Sequence, residues 1–405
     1  MNLNEQQLSF DSTRMRWSGR LLVRLLRRVT QGSLKLIDPQ GSSLQLGQTG
    51  TSLHAELQIH DWRAAGLILR QGDVGFAESL RRGWLDSPNF LSLFTLALRN
   101  EQVSEAVNGH WWALLLKKLS HWVLKDNSRR GSRRNILSHY DVGNAFYRLW
   151  LDPSMTYSAA WFEADLTRTL QAAQEAKYDR ILNQLQATAG QTILEVGCGW
   201  GGFAERAAQR GLNVVGITLS DAQLEWATKR MHEAGLTERV TLRLQDYRDV
   251  PEQFDHIVSI EMFEAVGLLH WPSYFQMLAR CLKPGGRAVV QTIDIQDQRF
   301  DAYRRGTDFI QQYIFPGGML PSPARFEKEC AAVNLRVHDT LSFGLDYAET
   351  LKRWAQQFET TISSIREQGY DDAFIRIWRM YLAYCEAGFR EQRTDVKQWT
   401  LCANL

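Results

Sequence analysis

Residues 193–202 read I-L-E-V-G-C-G-W-G-G, an apolar strand that ends on an acidic residue, turns through glycines and opens a helix. Glycines in such a turn let the backbone take dihedrals closed to other residues and approach a ligand closely. The unit then repeats along the chain. NVVGITL (213–219) has the pattern of a strand and DAQLEWATKRMHEAG (221–235) that of a helix. VTLRLQD (240–246), DHIVSIEMF (255–263) and GRAVVQTIDI (286–295) continue the strand series. Strand alternating with helix predicts an open, mainly parallel α/β sheet, Rossmann-like, with ligands at the carboxyl ends of its strands.

Four successive strand ends carry plausible contacts for one ligand. The first offers Glu195 with Gly197, Gly199 and Gly201. The second offers Thr218 and Leu219, with Gln223 at the start of the next helix, and the third Gln245 and Asp246. The fourth ends in Ser259–Glu261. The glycine pattern resembles the first motif of class I S-adenosylmethionine methyltransferases, and the competing reading is a nicotinamide-binding turn. S-adenosylmethionine carries an ammonium group, which suits a nearby carboxylate, and Asp246 is placed to accept from an adenine amino group. The second strand lacks the acidic residue usual for the ribose hydroxyls, so Thr218 and Gln223 must serve.

The first third of the chain is organised differently. Residues 17–29 place Arg20, Arg24, Arg27 and Arg28 at helical spacing, with Leu21, Leu22, Leu25 and Val29 mostly on the other side. LKLI and LQLG flank the turn-like DPQGSS, LHAELQIH alternates, and RQGDVGFAESLRRGWL reads as a turn into a helix. KDNSRRGSRRN (125–135) is polar, basic and glycine-containing, and marks the expected linker. The expected division is therefore a smaller α+β domain over 1–126 that associates with lipid, and a catalytic domain over 127–405 with a helical insertion at about 296–380.

Net charge is only +2 over 405 residues, so no global field argues for nucleic acid and any charged partner must be recruited by a local patch. The five cysteines are scattered without CxxC spacing, the pattern of reduced thiols in a cytosolic protein rather than a disulfide framework or metal site. The polar start MNLNEQQLSFDSTR lacks the apolar core of a signal peptide. No uninterrupted run of about 18 apolar residues occurs to span a bilayer.

Further segments are not explained by cofactor binding. They are SHYDVGNAFYRLWLD (138–152), MTYSAAWF (155–162), LQDYRD (244–249), EMFEAVG (261–267), YIFPGGMLPS (313–322), FGLDYAETL (343–351) and YCEAGFR (384–390). In this order the chain resembles the cyclopropane-fatty-acyl-phospholipid synthase family, which includes the mycolic acid cyclopropane synthases. The resemblance implies methylene transfer from S-adenosylmethionine to the double bond of an unsaturated phospholipid acyl chain. It also implies a bicarbonate ion as base, held by a glutamate, a histidine, a tyrosine and backbone groups. By position Glu264 matches the glutamate, Tyr347 the tyrosine and Ile293 a backbone group. Tyr157 and Ser158 match the cofactor cover, and Cys385 the cysteine often counted as catalytic. The resemblance further implies a cytoplasmic enzyme held peripherally at the inner, anionic face of a membrane, with a homodimer as an option.

Two positions depart from the cyclopropanating pattern. Ala159 stands where cysteine is common, and Gln291 replaces the histidine of H-T-I. Glutamine can hydrogen-bond bicarbonate but cannot share its proton as imidazole does, while Ala159 keeps its backbone N–H. The product is accordingly open between a ring and a methyl- or methylene-branched chain. Of the two glutamates in SIEMFEAVG (259–267), Glu264 is assigned the grip on the anion, and Glu261 is left between a cofactor-side and a structural role. Cys385 is read as lining the site, because carbocation chemistry needs no thiolate. His139 and Tyr140 are read as anchoring a helix or facing a head group. Arg129, Arg130, Arg133 and Arg134 are expected to join the arginine helix in docking on anionic lipid. The competing reading from another class is a non-catalytic lipid-binding protein that retained the fold.

Overall fold

A computed structural model describes residues 15–48, 50–103, 127, 131 and 142–403. The linker arginines, His139 and Tyr140 lie outside the described residues. The chain forms two units, one of Met1–Trp122, Gly306–Ile314 and Ile362–Glu391, the other of Val123–Arg305, Phe315–Thr361 and Gln392–Leu405.

The first unit holds a four-stranded sheet of β1 (Ser33–Ile37), β2 (Ser43–Gly47), β3 (His54–Ile59) and β4 (Leu85–Asp86), in the order β2-β1-β3-β4. Asp38 closes the β1–β2 turn, where its Oδ1 accepts from the backbone N–H of Gln40 at 3.0 Å and of Ser42 at 2.8 Å. The short polar side chain substitutes for a backbone acceptor, which is why a D-P-Q-G-S-S run turns there. The division departs from the contiguous one expected from composition. Helix Asp372–Arg390 packs against helix Phe90–Arg99, with the Phe94 and Tyr384 rings 5.5 Å apart, so a late segment completes the N-terminal unit.

The second unit is built on seven strands: β5 (Thr192–Val196), β6 (Asn213–Thr218), β7 (Val240–Leu244), β8 (Phe254–Ile260), β9 (Leu282–Ile295), β10 (Leu335–Ser342) and β11 (Thr394–Ala403). Their order is β10-β11-β9-β8-β5-β6-β7. The five strands from β9 to β7 run parallel, while β11 and β10 add antiparallel pairs. The central strands read as continuous apolar runs because both faces are covered. Helices Leu170–Leu185 and Gly202–Gln209 bury Ile181, Leu185, Phe203 and Ala207 with Val258 and Val289. Helices Trp271–Cys281 and Pro323–Ala332 bury Trp271, Phe275 and Phe326 with Ile257 and Val290.

The sheet is the expected one, with two strands the periodicity did not show. β10 interrupts the helical insertion expected at about 296–380. It is an edge strand whose residues alternate between buried or half-buried and exposed, with a register shift between Val337 and Asp339, and so it reads as polar chain. The order reverses at β5, whose neighbours are β6 and β8, and that reversal places the crevice at the carboxyl ends of these strands.

Candidate active site

The loop after β5 supplies one half of the site. Gly197 has φ +84°, and a Cβ there would stand 2.7 Å from the Met262 side chain. Gly199 has φ +52° and nothing within 4 Å of the same position, so the space before the loop is open. Gly201 caps helix Gly202–Gln209. Glu195, at the end of β5, is buried, and its Oε2 has no hydrogen-bond partner among the described residues. Burial lifts its pKa well above the usual carboxylate range, opposed by Arg230. An orphaned buried acceptor beside a glycine cradle fits a ligand that brings an ammonium group, as S-adenosylmethionine does.

The next strand ends are already internally bonded. Thr218 donates through Oγ1 to Gln223 Oε1 at 3.0 Å, and Ser220 caps the helix that carries Gln223. Leu219 follows, half-buried. The backbone N–H of Gln245 donates to Thr218 O at 3.0 Å, which ties the second strand end to the third. Both oxygens of Asp246 accept from Arg248, at 2.8 Å from Nε and 2.6 Å from Nη2. Asp246, expected to accept from an adenine amino group, is thus an acceptor already paired with a guanidinium.

The other half gathers around Glu261. This residue directly follows β8 with φ +51°, a left-handed conformation that costs a residue with a side chain about 1–2 kcal/mol. Its backbone N–H donates to Gln291 O at 2.8 Å and extends the β8–β9 ladder by one residue. From that turn the carboxylate reaches three donors. Oε1 accepts from the Ala159 N–H at 2.8 Å and from Gln291 Nε2 at 2.7 Å, and Oε2 accepts from the Tyr347 hydroxyl at 2.7 Å. Gln291 is fully buried and its amide is oriented from behind. Gln398 Nε2 donates to its Oε1 at 3.0 Å, while Arg180 donates to Gln398 Oε1 at 2.8 Å. That relay leaves the NH₂ end of Gln291 facing Glu261.

Lys177 adds a charge the sequence reading did not use. It is fully buried on helix Leu170–Leu185 and donates through Nζ to Ser158 Oγ at 2.6 Å. Gln174 Nε2 holds the Ser158 carbonyl at 2.9 Å, so this helix pins the segment that presents Ala159. Burial pulls the Lys177 pKa down to about 7, opposed by Glu261 and Asp152. Glu264 sits one turn on, where its Oε1 accepts from the Ile293 N–H at 2.6 Å. Its Oε2 is buried without a hydrogen-bond partner among the described residues. Burial, then the neighbouring Glu261, pushes Glu264 up to about 8. Burial also raises Glu261, but Lys177 and the three donors work against it. Glu264 thus favours its protonated form, while Lys177 and the three donors make Glu261 the better placed of the two to carry the charge.

This arrangement corrects the bicarbonate expectation. The Tyr347 hydroxyl, the Gln291 amide and the Ala159 N–H were expected to hold that ion, and all three are bonded to Glu261; the Ile293 N–H is bonded to Glu264. The residues present do not fit a bicarbonate ion.

Tyr157 stands beside Ser158 in an aromatic wall. Its ring centroid is 5.3 Å from Tyr147, 5.5 Å from Trp150, 5.3 Å from Trp354 and 6.3 Å from Phe315. Helix Gly344–Thr360 carries Tyr347, Thr350 and Trp354, and Thr350 Oγ1 accepts from the Ala160 N–H at 3.1 Å. Sequence reasoning missed Tyr147, Trp150, Trp354 and Lys177. The available signal for Lys177 was a lysine at the apolar spacing of its helix. Cys385 belongs to the first unit, on helix Asp372–Arg390, and is not among the groups the second unit gathers here. Burial pushes its thiol pKa up, away from the reactive thiolate.

Comparison with known proteins adds four findings. Residues 127–399 match the family model for mycolic acid cyclopropane synthetase. The chain is 38% identical over 388 residues to the tuberculostearic acid methyltransferase UfaA1 of Mycobacterium tuberculosis, covering 93% of this chain and 90% of that protein. It is 35% identical to the cyclopropane-fatty-acyl-phospholipid synthase of Escherichia coli K12, over 82% of this chain and 83% of that one. Among solved structures, the mycolic acid cyclopropane synthase CmaA1 complexed with SAH and CTAB superposes with a TM-score of 0.62 at 32% identity, covering 66% of this chain and 97% of its own.

Proposed function

The chain belongs to the mycolic acid cyclopropane synthetase family of S-adenosylmethionine-dependent methyltransferases, and from that premise we propose that it transfers a one-carbon unit to the double bond of an unsaturated fatty acyl chain of a membrane phospholipid. The observation that carries this reading is a shielded carboxylate held by three donors, Glu261, in the same unit as a glycine loop with an orphaned acceptor and a wall of aromatic rings. S-adenosylmethionine, when bound, supplies a sulfonium methyl electrophilic enough for an isolated alkene. Glu195 would hold its ammonium group, Thr218 and Gln223 its ribose, and Tyr157 would cover it. Methylation leaves positive charge on the acyl chain, and the faces of Tyr157, Trp354 and Phe315 are suited to stabilise it. A base must then remove a proton.

A second reading concerns the product, a methyl- or methylene-branched chain in place of a ring. Gln291 in place of the ring-forming histidine favours it, as does similarity along nearly the whole chain to a protein named for tuberculostearic acid. Expression in cells with monounsaturated phospholipids, followed by mass spectrometry of the fatty acid methyl esters, tests both. The expected result is a gain of one CH₂ per modified chain. Hydrogenation separates the products, because a ring has lost the double bond and a branched alkene retains it. Absence of any mass gain would overturn the function.

The substrate's location requires a membrane-facing surface. Helix Trp17–Leu26 buries Leu22, Val23 and Leu25, and exposes Arg16, at its N-cap, with Arg20, Arg24, Arg27 and Arg28. Trp17, 71% exposed, stands beside these arginines. Arginines with a tryptophan suit the interface of an anionic bilayer.

A further inference from the structure

We infer that Glu261 is the resident base of this enzyme, a side-chain carboxylate built into the position where a bicarbonate ion was expected. The inference rests on the acyl-chain reaction proposed above and names the group that completes it. Three independent features of the site converge on it.

The first is the donor set. Three groups from three separate elements, the Ala159 N–H, the Gln291 amide and the Tyr347 hydroxyl, all point at one carboxylate at 2.7–2.8 Å. A small anion bound in the same place would need these donors, and none is left for it. The second is the backbone. Glu261 takes a left-handed φ of +51°, at a turn where glycine would sit without penalty. Such strain is retained where the side chain is needed. The third is the companion chemistry. An imidazole at 291 would offer its own proton-binding nitrogen, whereas glutamine offers only a neutral N–H₂ donor. Its amide is locked by Gln398 with that donor toward Glu261. An alanine at 159 contributes only its backbone N–H. Lys177, bonded to Ser158 Oγ, is a positioning residue that holds the segment 158–159, and with it the Ala159 N–H, in place.

The step itself balances without an outside ion. A C–H bond of the methylated, cationic chain breaks, its proton passing to a carboxylate oxygen of Glu261. Its electron pair becomes the last ring bond if the proton leaves the new methyl, or a C=C π bond if it leaves a neighbouring chain carbon. Glu261, now neutral, releases the proton to solvent before the next turnover.

The test combines labelled bicarbonate and two variants in the full-length protein. ¹³C-bicarbonate is titrated into wild type and Glu261→Gly with ¹³C line broadening as readout, and S-adenosylmethionine affinity and melting temperature are checked in parallel. We expect no saturable bicarbonate binding in wild type, and binding in Glu261→Gly, where the donors are released. Wild-type turnover should be the same in CO₂-stripped and bicarbonate-supplemented buffer. Glu261→Gln should lose about 10²–10⁴-fold in turnover, the usual contribution of a positioned base. Glu261→Gly should lose as much and recover in part with added bicarbonate. Saturable binding to wild type, a fall in wild-type turnover on CO₂ removal, or Glu261→Gln within a few-fold of wild type would each overturn the assignment. If wild type modifies no unsaturated acyl chain, the reaction is wrong, while the bicarbonate titration still decides whether Glu261 occupies the anion position.

Discussion

Two glutamates three residues apart meet different surroundings. Glu261 accepts three hydrogen bonds and has Lys177 nearby, while Glu264 accepts one and faces a like charge. Proton abstraction therefore falls to Glu261. Turnover of Glu264→Gln should drop by about tenfold or less, against the far larger loss expected for Glu261→Gln; the reverse order in single-turnover assays would return the role to Glu264. Glu264 also has a pH signature. Its folded-state pKa of about 8 lies above the ordinary value of 4.5, so the native state binds a proton that the unfolded chain has released. Between those values stability falls as pH rises, because the native state must give up the proton or hold it at increasing cost. Below pH 4.5 the penalty is absent, and above about 8 it is complete. Glu264→Gln cannot titrate, so its melting temperature relative to wild type should rise between pH 5 and pH 8. A pH-independent difference would show that Glu264 is not buried in its protonated form.

At the scale of elements, the glycine turn after β5 and the arginine helix can each be tested by substitution. Gly197→Ala adds a Cβ that must meet the Met262 side chain at 2.7 Å, in a backbone conformation that disfavours it. We expect a loss of about 1–3 kcal/mol in stability and S-adenosylmethionine affinity weakened by about tenfold or more, read by calorimetry. Affinity equal to wild type would place the cofactor elsewhere. Helix Trp17–Leu26 should hold the protein on anionic vesicles by about 1 kcal/mol for each arginine near the surface. Pelleting with phosphatidylglycerol vesicles should fall between low and high salt, and fall further in an Arg20→Glu, Arg24→Glu double variant. Equal pelleting at both salts would exclude electrostatic docking.

For the whole molecule, the consequential fact is that the first unit is assembled from three stretches of chain. Helix Phe90–Arg99 buries Phe90, Leu93, Phe94 and Leu96, and part of its cover comes from helix Asp372–Arg390, nearly three hundred residues later. A fragment of residues 1–126 should therefore lack a cooperative thermal transition and bind hydrophobic dyes; a sharp two-state melt would show that the late helix is dispensable. No helix of the described residues is long and apolar enough to cross a membrane.

The sequence by itself determined the five parallel strands of the sheet, the glycine loop and the family. Those depend on local periodicity and on motifs read within one stretch, as ILEVGCGWGG and SIEMFEAVG can be. It also placed Ala159 and Gln291 as departures. What it could not show is that these departures and Glu261 are one feature. The three bonds on Glu261 join residues separated by 102, 30 and 86 positions. Their convergence depends on a left-handed turn after β8, on the pairing of β8 with β9, and on the helix that brings in Tyr347. Only the tertiary structure decided which carboxylate those donors hold, because a hydrogen bond is set by where three elements meet and not by the residues adjacent in the chain.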